Sequence, residues 1–167
     1  MDPILKNLIR VGKVTAIDTT KHQARVLFDD KHSTVSYWLD IIVRNTFKNK
    51  DYELPDIDEQ VICLFLPSGN AQGFILGATY STKDVPPIDD KDKRHVKFED
   101  ETEIEYDRKD HILTIKLVHP DGKINIIAPA NVNVIGDVIA DGISLKSHVH
   151  GGIYPGAGIT SEPVGGG

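Results

Sequence analysis

Hydrophobic and polar residues alternate along most of this chain, in short runs broken by turn-forming residues. RVGKVTAID (10–18) and QARVLFDD (23–30) flank TTKH, whose polar residues suit a hairpin connection. VSYWLDIIV (35–43), EQVICLFLP (59–67) and GFILGATY (73–80) continue the pattern. Between the last two, PSGNAQG (67–73) carries the turn residues Pro67, Gly69, Asn70 and Gly73. The opening DPILKNLIR is the one amphipathic helical candidate. Five short strands without a covering helix predict a small closed or half-closed barrel of the OB type over residues 1–82.

The pattern then changes. The segment around KDVPPIDDKDKRH (83–95) holds two adjacent prolines and dense charge, and reads as a stiff linker. In VKFEDETEIEYD (96–107) the even positions Val96, Phe98, Thr102, Ile104 and Tyr106 are apolar or neutral, with Asp100 the exception. The odd positions Lys97, Glu99, Glu101, Glu103, Glu105 and Asp107 are all charged. That period of two describes a strand with one dry and one wet face. HILTIKLV (111–118) follows the turn DRKD, with Leu113, Ile115 and Leu117 on a common face. Beyond HPDGK, the run INIIAPANVNVIGDVIADGISL (124–145) gives β-branched pieces interrupted by Pro129, Gly136 and Gly142. These pieces are too short to close on themselves, so a single copy of 96–146 leaves an apolar face in water. At about 25 cal/mol per Å² of apolar surface, such a face favours self-association about an axis. The glutamates then fall on the outside, where charge discourages edge pairing.

Composition narrows the function. The 167 residues carry a formal net charge of -6, against a general affinity for nucleic-acid phosphates or anionic membranes. The single cysteine, Cys63, lies in an apolar strand and has no partner for an intrachain disulfide. MDPILKNLIRVGKV lacks the apolar core of a secretory signal, and no apolar run approaches the ~20 residues of a spanning helix. Synthesis and assembly in the cytoplasm are expected, with export as part of a larger particle remaining open.

The strongest chemical signal is SLKSHVHGG, in which His148 and His150 flank one valine. In a strand, residues i and i+2 point the same way, so both imidazoles share a face. Two ligands are too few for a firm metal site, and symmetry can supply the rest. Two copies give four nitrogens, the set zinc favours; three copies give six, suited to iron, cobalt or nickel. The glycine-rich tail GGIYPGAGITSEPVGGG (151–167) contains no further histidine and by composition alone resembles a disordered end. A cupin-like metalloenzyme is one rival, since Gly142 to His150 matches G-x5-H-x-H. The motif then requires a glutamate where this chain has Tyr154 and Pro155, and a second histidine motif downstream. No nucleophile elbow or phosphate-binding loop occurs, so no catalytic set is expected. His22, His32, His95, His111 and His119 sit in turns or strand starts and are expected at the surface. An OB-fold nucleic-acid-binding module is the second rival. It would stack bases on SYWL and Phe28, but needs a basic groove that the acidic balance opposes. Tyr37, Trp38 and Leu39 are read instead as barrel core and collar contacts.

These residues together resemble the baseplate assembly protein V (gpV-like) family, the central spike of contractile phage tails and of phage-tail-like bacteriocins. RVGKVTAID with its G-x-V opening, and GFILG as the closing G-x-x-L-G strand, resemble the family's OB domain. GDVIADGISLKSHVHGG…PVGGG resembles its apex, and is the more specific signal. One departure lies before the fourth barrel strand: where the family often has P-x-x-G-D-x-V, this chain has Pro55, then Asp58, Glu59 and Gln60 before Val61. The resemblance implies an all-β homotrimer with an OB collar (1–82), a linker (83–95), an intertwined triple β-helix shaft (96–146) and a metal-bound apex (147–167). It implies one iron ion per trimer, held octahedrally by His148 and His150 of three chains, with further ions possible at the tip. The implied partners are the baseplate hub, the tail tube and the target cell envelope, with no nucleic acid and no small-molecule substrate. The implied place is a virion tail or tail-like particle, and the implied work is membrane piercing without enzymatic chemistry.

Overall fold

A computed structural model describes residues 7–29, 33–67, 72–149 and Gly156. It is all-β, with no helical element among the described residues. The chain divides into two compact units, residues 1–118 and 119–167.

The first unit begins with strands β1 (Ile9–Asp18), β2 (Gln23–Phe28), β3 (Thr34–Val35), β4 (Leu39–Ile41), β5 (Gln60–Phe65) and β6 (Gly73–Ala78). Their order β1-β5-β6-β4-β2 returns to β1, so five strands close a barrel, and β3 extends β2 at its end. The β4–β6 pair is parallel and the rest antiparallel, the arrangement of the OB fold. Closure depends on β1 serving two neighbours. Its first half pairs with β5 from Ile9↔Leu64 to Lys13↔Gln60, and its second half pairs with β2. A bulge between Val14 and Ala16 bends the strand between these two duties. Gly12 sits at the crossover, where a Cβ would overlap the Leu27 carbonyl oxygen and lie 2.6 Å from Val26 and 2.8 Å from Phe28. Gly73 is similarly excluded from substitution by the Leu64 carbonyl at 2.6 Å. The two glycines of the family-like G-x-V and G-x-x-L-G segments are thus places where backbones touch.

Alternation supplies the core. Val14, Ala24, Val26, Phe28, Leu39, Val61, Cys63 and Ile75 are fully buried, with Ile17, Ile41 and Phe65 packed against them. Phe28 and Phe65 meet edge to face at 5.7 Å, and the Arg10 guanidinium lies 3.9 Å from the Phe28 ring centroid. Burial pushes the Cys63 thiol up to about 11, the behaviour of a packing residue and not a nucleophile.

Three sequence expectations change here. VSYWLDIIV is two strands: between Leu27↔Val35 and Ala24↔Leu39, three steps along β2 face four on the opposite chain. Buried Ser36 accommodates the extra residue, its hydroxyl accepting from Val26 N–H at 2.9 Å and donating to the Tyr37 carbonyl at 2.6 Å. Leu39 alone of its trio therefore enters the core, while Tyr37 and Trp38 are 74% and 44% exposed. VKFEDETEIEYD is also two strands, β7 (Lys93–Lys97) and β8 (Glu103–Asp107), joined through Glu101 at φ 66. The register Lys97↔Glu103 keeps even residues opposite even ones, which is why the period of two ran unbroken through a turn. Third, β7 begins inside the segment expected to be linker: Lys93 and His95 lie on the strand's wet face, and Arg94 stands opposite Tyr106 on the other.

β9 (Ile112–Lys116) completes a three-stranded sheet. Its wet face is a ladder of two ion pairs, Lys93–Glu105 at 2.8 Å and Lys116–Glu103 at 3.3 Å, and a hydrogen bond between His95 and Glu105 at 3.0 Å. Its dry face is the row Val96–Ile104–Ile115 and the row Tyr106–Leu113, with Arg94 at the edge of the second; the five apolar residues are each at least 39% exposed. The departure at Pro55 keeps the turn: Asp58 takes the glycine position at φ 70, and its N–H donates to the Val14 carbonyl at 2.8 Å. Glu59 accepts from Asp56 N–H at 2.8 Å, so an acidic side chain still closes the loop.

Candidate functional site

Among the described residues of the second unit, regular structure is limited to β10 (Ile139–Ala140) and β11 (Ile143–Ser144), a two-rung hairpin. Its turn residues Asp141 (φ 49) and Gly142 (φ 81) are both left-handed, the Asp-Gly form that matches strand twist. Every described residue from 119 to 149 is exposed except Ser144, although isoleucine and valine recur throughout. No strand forms between His119 and Val138 within one chain, and the β-helical winding expected for 96–146 is not formed by a single copy.

His148 is placed by the turn that follows β11. Leu145 N–H donates to the Val138 carbonyl at 2.8 Å, and His148 N–H donates to the Ser144 carbonyl at 3.1 Å. The ring nitrogen Nδ1 lies 3.0 Å from the Ser144 carbonyl and 3.1 Å from that of Leu145. A carbonyl can only accept, so Nδ1 carries a proton, and in the neutral ring the lone pair then stands on Nε2. This is the state a metal-binding imidazole adopts when a backbone carbonyl fixes its tautomer. The donor chemistry therefore fits a transition-metal ligand at His148. His150 lies outside the described residues. Among the described residues no three potential ligands gather.

The other histidines divide. His111 and His119 lie on turns and are exposed, as expected, and His32 is outside the described residues. His22 and His95 are not surface groups. Both ring nitrogens of His22 are buried without a hydrogen-bond partner among the described residues, and its ring stacks on Tyr52 at 5.3 Å. His95 is 6% exposed, with Nδ1 on Glu105 and Nε2 buried. Spacing could not reveal either, because both are held by residues distant in sequence. Hydrogen bonds from Lys93 and then His95 hold the Glu105 carboxyl below its ordinary range.

Residues 10–80 match the family model described as the type VI secretion system/phage-baseplate injector OB domain. Residues 142–164 match the GpV apex motif, and together the two matches cover more than half of the chain. The chain belongs to the gpV-like family of baseplate spike proteins. The first match spans the barrel from β1 to the end of β6, and the second opens on Gly142 in the left-handed turn and includes both histidines. In known gpV-like members the apex motif is the metal-binding apex. Both models describe structural baseplate parts, which places a gpV-like chain with other baseplate components in a virion or tail particle. A comparison with curated proteins gave no match.

Proposed function

We propose that this chain is the membrane-piercing central spike of a contractile tail, acting as a homotrimer whose apex is tied by one axial metal ion. The observation that carries the reading is the absence of any buried core in described residues 119–149, despite their apolar alternation. Such a sequence is stable only when other copies cover it, and the uncovered dry face of β7–β9 makes the same demand. The organisation proposed is a collar at 1–82, a linker from 83 up to β7, a triple-stranded shaft from there to 146 and the apex at 147–167. His148 and His150 of three chains would give six nitrogens to one ion, with iron the metal implied by family resemblance. Such an ion would supply cross-linking and not reactivity, since six protein nitrogens leave no position for water or substrate.

The barrel would bind the baseplate hub and tube, and exposed Tyr37 and Trp38 suit such contacts. The trimer would be assembled in the host cytoplasm, and sheath contraction would drive the point against the target envelope. A rod that resists bending and fraying does this work without catalysis. The test is sedimentation mass combined with elemental analysis of purified protein. A trimer with about one ion per three chains is expected. A monomer, or one ion per chain, would contradict the reading.

A further inference from the structure

The proposed site has a support that lies 11 residues before His148 in the sequence. Asp137 stands at the foot of the β10–β11 hairpin and gathers both ends of it. Its Oδ1 accepts from Val138 N–H at 2.8 Å and from Lys146 N–H at 3.1 Å. Its Oδ2 accepts from the Ser144 hydroxyl at 2.6 Å. The Ser144 oxygen in turn accepts from Ser147 N–H at 2.9 Å and from the Ser147 hydroxyl at 2.8 Å. One carboxylate thus fixes both sides of residues 144–147, the turn whose carbonyls at Ser144 and Leu145 hold the His148 ring.

From this network we infer that Asp137 is a positioning residue for the apex metal: through Ser144 and Lys146 it holds the two carbonyls that select the Nδ1–H tautomer of His148 and aim Nε2. The inference rests on the metal reading above. It also explains why the side chain is a carboxylate. The Ser144 hydroxyl has one proton, given to Oδ2, and two lone pairs, both used by Ser147. An amide at 137 would present N–H where an acceptor is needed, and Ser144 could receive it only if its bond with the Ser147 hydroxyl reversed direction. The isosteric Asp137→Asn change therefore reverses the polarity of one link while preserving shape. Groups that support a ligand in this indirect way typically contribute about 10–100-fold to metal affinity.

The test uses the full-length trimer as Asp137→Asn and as Ser144→Ala, with Asp141→Asn as a control. The control removes the same charge from the same hairpin at a left-handed position that asparagine tolerates. Metal release into excess chelator is timed, and the His148 tautomer is read from imidazole nitrogen shifts in metal-free protein. Release about 10–100-fold faster in both variants, with loss of the single Nδ1–H tautomer and a control like wild type, is expected. A double variant no worse than either single one would place both residues on one path. If wild type binds one ion per trimer and Asp137→Asn releases it equally slowly with an unchanged tautomer, the positioning role is overturned while the metal stands. If wild type binds no ion, both fall. If the variant merely melts earlier, with release and tautomer unchanged, Asp137 is only structural and the inference is refuted.

Discussion

Replacing Ile115 by threonine tests the proposed trimer at the dry face of β7–β9. Ile115 lies opposite Ile104, which lies opposite Val96, so the three side chains form the middle row of the dry face of β7–β9. In one chain Ile115 remains 49% exposed, leaving about half of its apolar surface for a partner to cover. Full burial of an isoleucine is worth roughly 1.5–3 kcal/mol, so the half that awaits a partner is worth about 1 kcal/mol. Threonine keeps the β-branch and the strand preference, so the sheet itself should persist. It removes a carbon and adds a hydroxyl that a dry interface leaves poorly hydrated, bringing the loss to about 1–1.5 kcal/mol per chain. Three chains lose this together, about 3–4.5 kcal/mol in all, equivalent to roughly 150- to 2,000-fold weaker association. Sedimentation across a dilution series reads this directly. Ile112→Thr is the internal control: it lies on the same strand with opposite parity, facing Asp107 on the wet side. Ile115→Thr should dissociate at concentrations where Ile112→Thr remains trimeric. Equal behaviour of the two variants would refute the argument that the dry face is the interface.

Three further outcomes are expected. Gly12→Ala places a methyl against the Leu27 carbonyl and should destabilise the barrel by about 3 kcal/mol, lowering its thermal midpoint by on the order of 10 °C or more; an unchanged melt would show that β1 and β2 can separate. Glu105, Asp107 and Asp137 are all held below their ordinary values, by Lys93, by Asp110 N–H and by Ser144 respectively as the largest causes. Depressed carboxyls stabilise fully above their unfolded values and lose that contribution as pH falls through their folded ones, so thermal midpoints should decline below about pH 4.5; a flat profile down to about pH 3 would contradict the ladder. The pair His148→Ala with His150→Ala should abolish bound metal while the shaft remains trimeric, read by elemental analysis and sedimentation. Metal persisting at one ion per three chains would remove these residues from the site.

The barrel was legible in the sequence because its information is local. Val14, Val26, Val61, Cys63 and Ile75 enter the core at alternate positions of their strands, and alternation alone names them. The break at Gly142 was legible for the same reason, since its left-handed position favours glycine. What escaped was information carried between segments. Ser36 looks like any polar residue in a strand, and only its bond to Val26 reveals a break in the ladder. The turn at Glu101 was hidden because a hairpin of even register preserves parity. His95 read as linker until Glu105, ten residues on, enclosed it. At the candidate site the two histidines were plain from spacing, whereas Asp137 was not. An aspartate beside a glycine is a common turn residue, and its reach to residues 144 and 146 exists only once the hairpin has closed.

The means of holding the fold together changes along the chain, and the change bears on how such a molecule could transmit force. The barrel has a complete core and closes its own strands, so it needs no partner to be stable. The β7–β9 sheet satisfies one face with ion pairs and leaves the other dry. Residues 119–149 bury nothing, and their one ordered hairpin is held by hydrogen bonds converging on a single carboxylate. Apolar packing scales with the volume enclosed, and a tapering structure runs out of volume before it runs out of length. Directional bonds do not require volume. A point built from a hydrogen-bonded hairpin and an axial cation can therefore be as narrow as three strands, which packing alone could not stabilise. In the proposed spike the order of the segments would follow from that limit: the self-sufficient domain would stand at the wide end, and the segment that depends most on its neighbours at the point.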